Sequence, residues 1–291
     1  MKKSDTPKIM LYVDRTMGEK VNATFDFIKE NWRVWLKFMF YGLMPLSIIQ
    51  GIQFDGAISK LINNRYDNPF GDALEIFWLV PVGMVLVWSI VMALLKKYQE
   101  RPNRLRDIKV RELWPLLWRN ALRMVGVGLL STVIAVPVMI VGFVLFFLPF
   151  IAQILAFGLI LPLALWPVIY FYENDATYSS SFSKAWRLGF SKWIHLLYLG
   201  IVMVLLIHVL QGVVAIPWMV LEIVFSELLG GSGFVGAVFD VISNAIAVSY
   251  FFMVYVGMSF MALAFAFHYG SVASTQESAS LDSEIDNFEN L

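Results

Sequence analysis

Between Arg123 and Glu173 the chain runs for 49 residues without a charged side chain. As a helix rising 1.5 Å per residue, that run would reach about 73 Å, more than twice the roughly 30 Å hydrocarbon layer of a bilayer. It is too long for one crossing and long enough for two, so it has to fold back on itself. The segment LFFLPFIAQ around Pro149 supplies the turn and predicts a tight hairpin of spans at 125–147 and 151–172, with no charge at its tip.

Composition agrees. Of 291 residues, 59% are hydrophobic and 15% charged, whereas soluble domains hold about half and about a quarter. Further apolar runs predict spans at 35–52, where Lys37 can snorkel, at 76–95, from about 194 to 221, and at 243–267. The predicted fold is therefore all-α, a polytopic bundle of six transmembrane helices. The alternating ten-residue segments that a membrane β-barrel requires are absent. The N-terminus is basic at its tip but has no apolar stretch behind it, which predicts no cleaved signal peptide. There is no cysteine, so disulfides, thiolate zinc sites and Cys-ligated clusters are excluded. With 22 basic and 22 acidic residues there is no basic excess of the kind nucleic acid attracts, and no nucleic-acid partner is expected.

The balanced total hides an asymmetry. Eight basic residues lie in the segment through Lys37, nine in the 96–123 connection and three in the 173–192 connection; the other side holds only Lys60 and Arg65. Basic residues at span ends mark the cytoplasmic side, so both termini are expected in the cytoplasm. Counted by side, the cytoplasmic face carries 20 basic and 15 acidic residues and the outer face 2 and 7.

The approaches to spans one, three and five resemble one another. Val21, Phe25, Ile28, Trp32 and Trp35 recur at helical spacing before the first, with Asp26, Lys29, Glu30 and Arg33 on the other face. Leu113, Trp114, Leu117, Trp118 and Ala121 do so before the third, opposite Arg111, Arg119 and Arg123. Phe182, Trp186, Phe190 and Trp193 do so before the fifth, opposite Ser183, Arg187 and Ser191. With Phe25, Trp114 and Trp186 aligned, Val21, Val110 and Phe182 fall four positions earlier, and Trp32, Ala121 and Trp193 seven later. The predicted unit is an amphipathic helix followed by a transmembrane hairpin, repeated at about 15–95, 104–172 and 178–268 within one membrane domain, 1–270. Two placements suit such helices. They lie at the headgroup boundary, rings buried in lipid and charges wet, or they pack against one another as ordinary core; the first is the expected one. Trp32, Trp114, Trp118, Arg119, Trp186, Arg187 and Trp193 are then the candidate lipid-interface residues. The connection at 96–123, net positive by six, predicts attraction to anionic headgroups.

The stretches RTMGEKVNATFDFIKENWRVWLKFMFYGLMPLSII and ENDATYSSSFSKAWRLGFSKWIHLLYLGIVM carry a family resemblance. The second fits the form SFxxAWxLxxxxW at Ser181, Phe182, Ala185, Trp186, Leu188 and Trp193. In these features the chain resembles the bacterial integral-membrane family known as the glycerophosphoryl diester phosphodiesterase membrane domain, with its YciC-like and DUF975-like relatives. The resemblance implies a bacterial inner-membrane location. The family's enzyme activity belongs to a separate soluble barrel for which these 291 residues leave no room, so that activity is not implied.

Motifs for chemistry are missing: there is no HExxH, GxSxG or P-loop, and no cofactor or metal site is expected. His195, at the membrane boundary beside Trp193, reads as an interface residue. His208 sits mid-span beside Gln211, and intramembrane ionisable groups are functional candidates by default. His208, Gln211 and Asn244 form the candidate intramembrane polar cluster, against the plainer reading of a neutral histidine hydrogen-bonded within a helix interface. The prolines inside spans, Pro45, Pro81, Pro137, Pro162, Pro167 and Pro217, read as packing features rather than as a pathway. GGSG at 230–233 reads as a flexible external loop. The tail, 271–291, with five acidic residues and no basic one, is expected to be disordered. Leu281, Ile285 and Phe288 nevertheless share a helical stripe on which it could dock a protein partner. The functional expectation is a non-enzymatic, lipid-interacting or membrane-organising scaffold; a transporter of small molecules or lipids is the alternative, and an intramembrane enzyme with dispersed polar groups a weaker third.

Overall fold

The computed structural model describes residues 7–62, 78–144, 161–173, 176–228 and 234–289. Among these the backbone is helical, without strands: α1 (Met17–Ile62), α2 (Val80–Glu100), α3 (Val110–Val144), a 3-10 turn (Leu161–Leu165), α4 (Trp166–Tyr172), α5 (Tyr178–Ser191), α6 (Trp193–Leu228) and α7 (Phe234–Glu289). The expected turn at Pro149, the loop at 230–233 and Arg65 lie outside the described residues.

Three of these helices are long and apolar enough to cross a membrane: Val80–Glu100, Trp193–Leu221 and Gly236–Gln276, with mean hydropathy 1.7, 2.5 and 1.9. Their burial differs. Over the most apolar stretch, 56% of the residues of α2 and of α7 are buried inside the protein, but only 22% of those of α6. The most apolar helix is thus the one whose side chains point outward, Ile194, Ile201, Leu205, Val209, Val213 and Ile216 among them. In water such a surface would be an aggregation site; in lipid it is the ordinary exterior of a membrane protein.

The amphipathic segments meet the apolar runs that follow them in different ways. In α1 the helix breaks at Asn31 (φ −112°, ψ 15°), and the buried Asn31 amide donates to the Phe27 carbonyl four residues back at 2.9 Å. Before α6 the break is complete: α5 ends at Ser191 and Lys192 leaves the helical region (φ −134°, ψ 34°). In α3 the approach and the apolar run form one helix of 35 residues, with Pro115 and Pro137 inside it. Pro81 and Pro167 fall in the first turns of α2 and α4, where a missing N–H costs nothing. The backbone beyond residue 270 remains helical to Glu289 where disorder was expected; after Gly270 there is neither glycine nor proline to stop α7.

The chain divides into two compact units, and α1, α2, α6 and α7 contribute residues to both. The first comprises Met1–Trp35, Trp88–Val202 and Phe260–Leu291, the second Leu36–Val87 and Met203–Ser259. In the first, α7 is buried on every side from Ala262 to Ala273, as befits a central helix. In the second, small residues let helices come close. A methyl group on Gly51 of α1 would stand 2.5 Å from the Val248 backbone nitrogen of α7, and one on Gly83 of α2 would stand 2.0 Å from the Tyr255 ring. Phe251 anchors this unit's core, with Phe54 and Tyr250 against it.

These contacts predict that Gly51→Ala lowers stability by about 1–3 kcal/mol, because backbone cannot yield as a flexible side chain can. Gly128→Ala, where an added methyl meets nothing within 4 Å, should gain stability from helix propensity. Thermal midpoints of the two variants in detergent check this; equal midpoints would show that the close approach does not matter.

Candidate functional site

The amphipathic helices sort their residues into three faces rather than two. In α5, Thr177 caps the N-terminus: the Ser180 amide donates to its hydroxyl at 3.2 Å, and its own amide donates to the Ser180 hydroxyl at 2.9 Å. The face turned inward is small: Ser181, Ala185, Leu188 and Gly189. Trp166 Nε1 donates to Ser181 Oγ at 3.0 Å, and Gly189 receives Pro162, whose Cα would lie 2.7 Å from an added methyl. The aromatic face points the other way. Phe182, Trp186 and Phe190 form a ladder with ring centroids 6.0 and 4.7 Å apart.

In α1 and α3 the inward face also takes large side chains, and the outward face again carries aromatic rings. Thr24, Phe27, Ile28, Asn31 and Trp35 are buried in α1 while Phe25 and Trp32 face outward; Leu113, Asn120 and Met124 are buried in α3 while Trp114 and Trp118 are 63% and 61% exposed. Arg119 and Arg187 are exposed, and Trp193 is half-buried. Six of the seven candidate interface residues are thus exposed, Trp32, Trp114, Trp118, Arg119, Trp186 and Arg187, and Trp193 is half-buried.

The small inward face was not singled out from the sequence, although Ser181, Ala185 and Gly189 repeat every four residues and could have shown it.

Near these helices, polar side chains tie the first unit together. Glu30 is a hub: Tyr98 OH donates to Oε2 at 2.9 Å and Arg104 to Oε1 at 2.5 Å. Glu173 is another, accepting at Oε1 from Lys184 at 2.5 Å and from Tyr269 OH at 2.7 Å. An N-terminal strap, residues 7–16, is fastened at both ends. Lys8 Nζ donates to the Gln99 and Arg101 carbonyls at 2.6 and 3.2 Å, capping the end of α2. The Arg15 amide donates to Ser271 Oγ at 3.1 Å. Gly270 lets the strap lie against α7, since an added methyl would meet the Leu11 carbonyl oxygen at 2.2 Å. Beneath it, Lys20 is buried with its Nζ 3.3 Å from His268 Nδ1. The ammonium can only donate there, which leaves the imidazole proton on Nε2. Burial pulls the Lys20 ammonium below the usual lysine range, against the opposing pull of Asp14.

His208 and Asn244 of the expected intramembrane cluster make contacts within their own helices. His208 is exposed and its Nδ1 donates along its own helix to the Val204 carbonyl at 2.8 Å; the Asn244 amide donates likewise to Asp240 at 2.8 Å. Gln211 is half-buried and His195 exposed. The second unit holds a buried polar pair elsewhere: Tyr255 OH donates to Gln50 Oε1, both side chains fully buried, with Ser47 one turn before Gln50 donating to the Leu43 carbonyl at 3.0 Å. Among the described residues no three His, Cys, Asp or Glu side chains gather as metal ligands.

An all-helical membrane protein with outward-facing tryptophans and a polar, strapped end is the class these features define. No family model, no curated protein and no solved structure matches the chain.

Lys20 gives a pH prediction. Its folded pKa lies below the ordinary 10.5, so as pH rises the native state loses this proton before the unfolded state does. The unfolded state then binds more protons and stability increases with pH. Lys20→Met should flatten that alkaline rise, read as thermal midpoint against pH; a variant profile parallel to the parent's would show that Lys20 burial is not its source.

Proposed function

We propose that this chain is a six-span bacterial inner-membrane protein, both termini cytoplasmic, whose three amphipathic helices lie at the headgroup boundary and engage lipid as a non-enzymatic scaffold. The observation that carries the reading is the outward face of those helices: Trp32, Trp114, Trp118 and Trp186 are exposed, and exposed indoles with arginines beside them suit the interface, not a packed cytoplasmic core. Arg33 lies over the Trp32 ring, its guanidinium carbon 5.4 Å from the centroid, an arrangement that keeps charge and apolar body together at a boundary.

The threefold repeat is supported by where the helices break. With Phe25, Trp114 and Trp186 aligned, Asn31, Asn120 and Lys192 are equivalent. Two of them are the break points before the spans, and the third is a buried asparagine donating to the Ser89 carbonyl at 3.5 Å. This agrees with the resemblance to the glycerophosphoryl diester phosphodiesterase membrane domain and its relatives, which we offer as the chain's kinship. The partners that follow are membrane lipids, anionic ones above all, with the acidic tail free to engage a protein. Transport, the alternative, draws on intramembrane polar groups; His208 and the Asn244 amide are engaged within their own helices and Gln50 with Tyr255, so the scaffold reading is preferred.

Replacing Trp114, Trp118 and Arg119 together by Ala, Ala and Gln should deplete the lipids that co-purify with the protein, measured by lipid mass spectrometry at matched protein amounts. An unchanged lipid profile would overturn the reading.

A further inference from the structure

The first unit carries a groove of about 1090 Å³ between the strap, the first turns of α1 and the turn that follows α2. Its lining includes six basic residues, Lys8, Arg15, Lys29, Arg33, Arg104 and Arg106, against three acidic ones, Glu19, Asp26 and Glu30. The acids are largely engaged: Glu30 with Arg104 and Tyr98, and Glu19 with the Thr16 amide and hydroxyl at 2.7 and 2.9 Å. Lys29 and Arg33 flank the break at Asn31 on α1, are both exposed and both line the groove. Glu30, the acid next to Lys29 in sequence, is the one held by Arg104 and Tyr98, and Asp26 lies one turn before Lys29.

The groove is basic at one part and apolar at another. Trp32 and Val34 line it just past the break at Asn31, where the helix turns into the apolar run beginning at Trp35. Met10 and Val13, at 52% and 42% exposure, continue the apolar lining on the strap. A site for a free phosphate has no use for such a rim. A site for a phospholipid does: the anionic headgroup lies with Lys29 and Arg33, and the glycerol and upper acyl carbons lie along Trp32 and Val34. The volume suits a ligand of that size, small-molecule pockets running to about 1,000 Å³.

We infer that this groove is a headgroup site for one anionic glycerophospholipid, held by Lys29 and Arg33 with Trp32 at its apolar edge. The inference rests on the lipid-interface reading above and adds to it one place and one class of lipid. It is tested on the full-length protein in detergent, titrated with phosphatidylglycerol or phosphatidylcholine and followed by native mass spectrometry. The parent should bind one phosphatidylglycerol in preference to phosphatidylcholine. Removing one interfacial charge is expected to weaken binding about fivefold, so Lys29→Gln with Arg33→Gln should weaken it about 25-fold. Lys109→Gln with Arg111→Gln, the same loss of charge at exposed positions outside the groove, should change it less than about threefold. Equal losses in the two pairs would overturn the groove while leaving the lipid reading intact, the attraction then being diffuse. No preference for phosphatidylglycerol in the parent would overturn that reading as well. Displacement of the lipid by millimolar inorganic phosphate would reassign the groove to a soluble phosphate and overturn the lipid assignment.

Discussion

The contact on which this architecture turns is the close approach of small residues within each unit. In lipid there is no water to drive apolar surfaces together, so helices associate through packing and a few hydrogen bonds. Gly51 against Val248, Gly83 against Tyr255, Gly189 against Pro162 and Gly270 against Leu11 are places where no side chain fits between two backbones or a backbone and a ring. Large side chains such as Phe27, Trp35 and Leu113 are buried as well, while Trp32, Trp114, Trp118 and Trp186 and much of the aliphatic surface of α6 face outward.

Where helices leave that packing, polar groups take over. Asn31 interrupts α1, and its buried side-chain amide donates to the Phe27 carbonyl of its own helix. Thr177 and Ser180 start α5 by satisfying each other's amides, and Glu173 just before them collects Lys184 and Tyr269. The strap does for the end of α2 what a C-cap residue does elsewhere, because Lys8 reaches the Gln99 and Arg101 carbonyls. These fastenings all belong to the first unit. In the second, Tyr255 meets Gln50 and Trp218 Nε1 donates to Ser243 Oγ at 3.0 Å, hydrogen bonds that link helices without an ion pair at these contacts.

Much of this was legible in the sequence because length and charge are strong signals. Uncharged runs located the three apolar helices now described, and the tryptophan spacing located the amphipathic approaches. The inward face was less legible: Ser181, Ala185 and Gly189 read as polar or neutral filler until a neighbour such as Trp166 or Pro162 is known to sit on them. The same holds for Gln50, whose partner Tyr255 lies 205 residues away, a distance no local pattern reports. His208 drew attention because a histidine within an apolar run is conspicuous, yet a ring that can reach the carbonyl four residues back needs no partner on another helix. Lys20 was hidden for the opposite reason: it stands among other charges near the N-terminus and reads as solvated, but the strap and α7 close over it.

Charge and packing meet at the helix break. The break at Asn31 falls inside the charged approach of α1, with Lys29 before it and Trp32 and Arg33 after it, so the early part of the approach takes its own direction while Trp32 and Arg33 go with the run that begins at Trp35. Lys192 does the same between α5 and α6 with a full interruption. In α3 the equivalent residue, Asn120, is buried and engaged with Ser89, and the helix stays unbroken. At the three equivalent positions the polar group meets a different partner: Asn31 donates to the carbonyl of its own helix, Asn120 to that of a neighbour, and Lys192 ends α5 with its backbone N–H on the Phe190 carbonyl. A polar residue there satisfies backbone groups in an unbroken, a kinked and an interrupted helix alike.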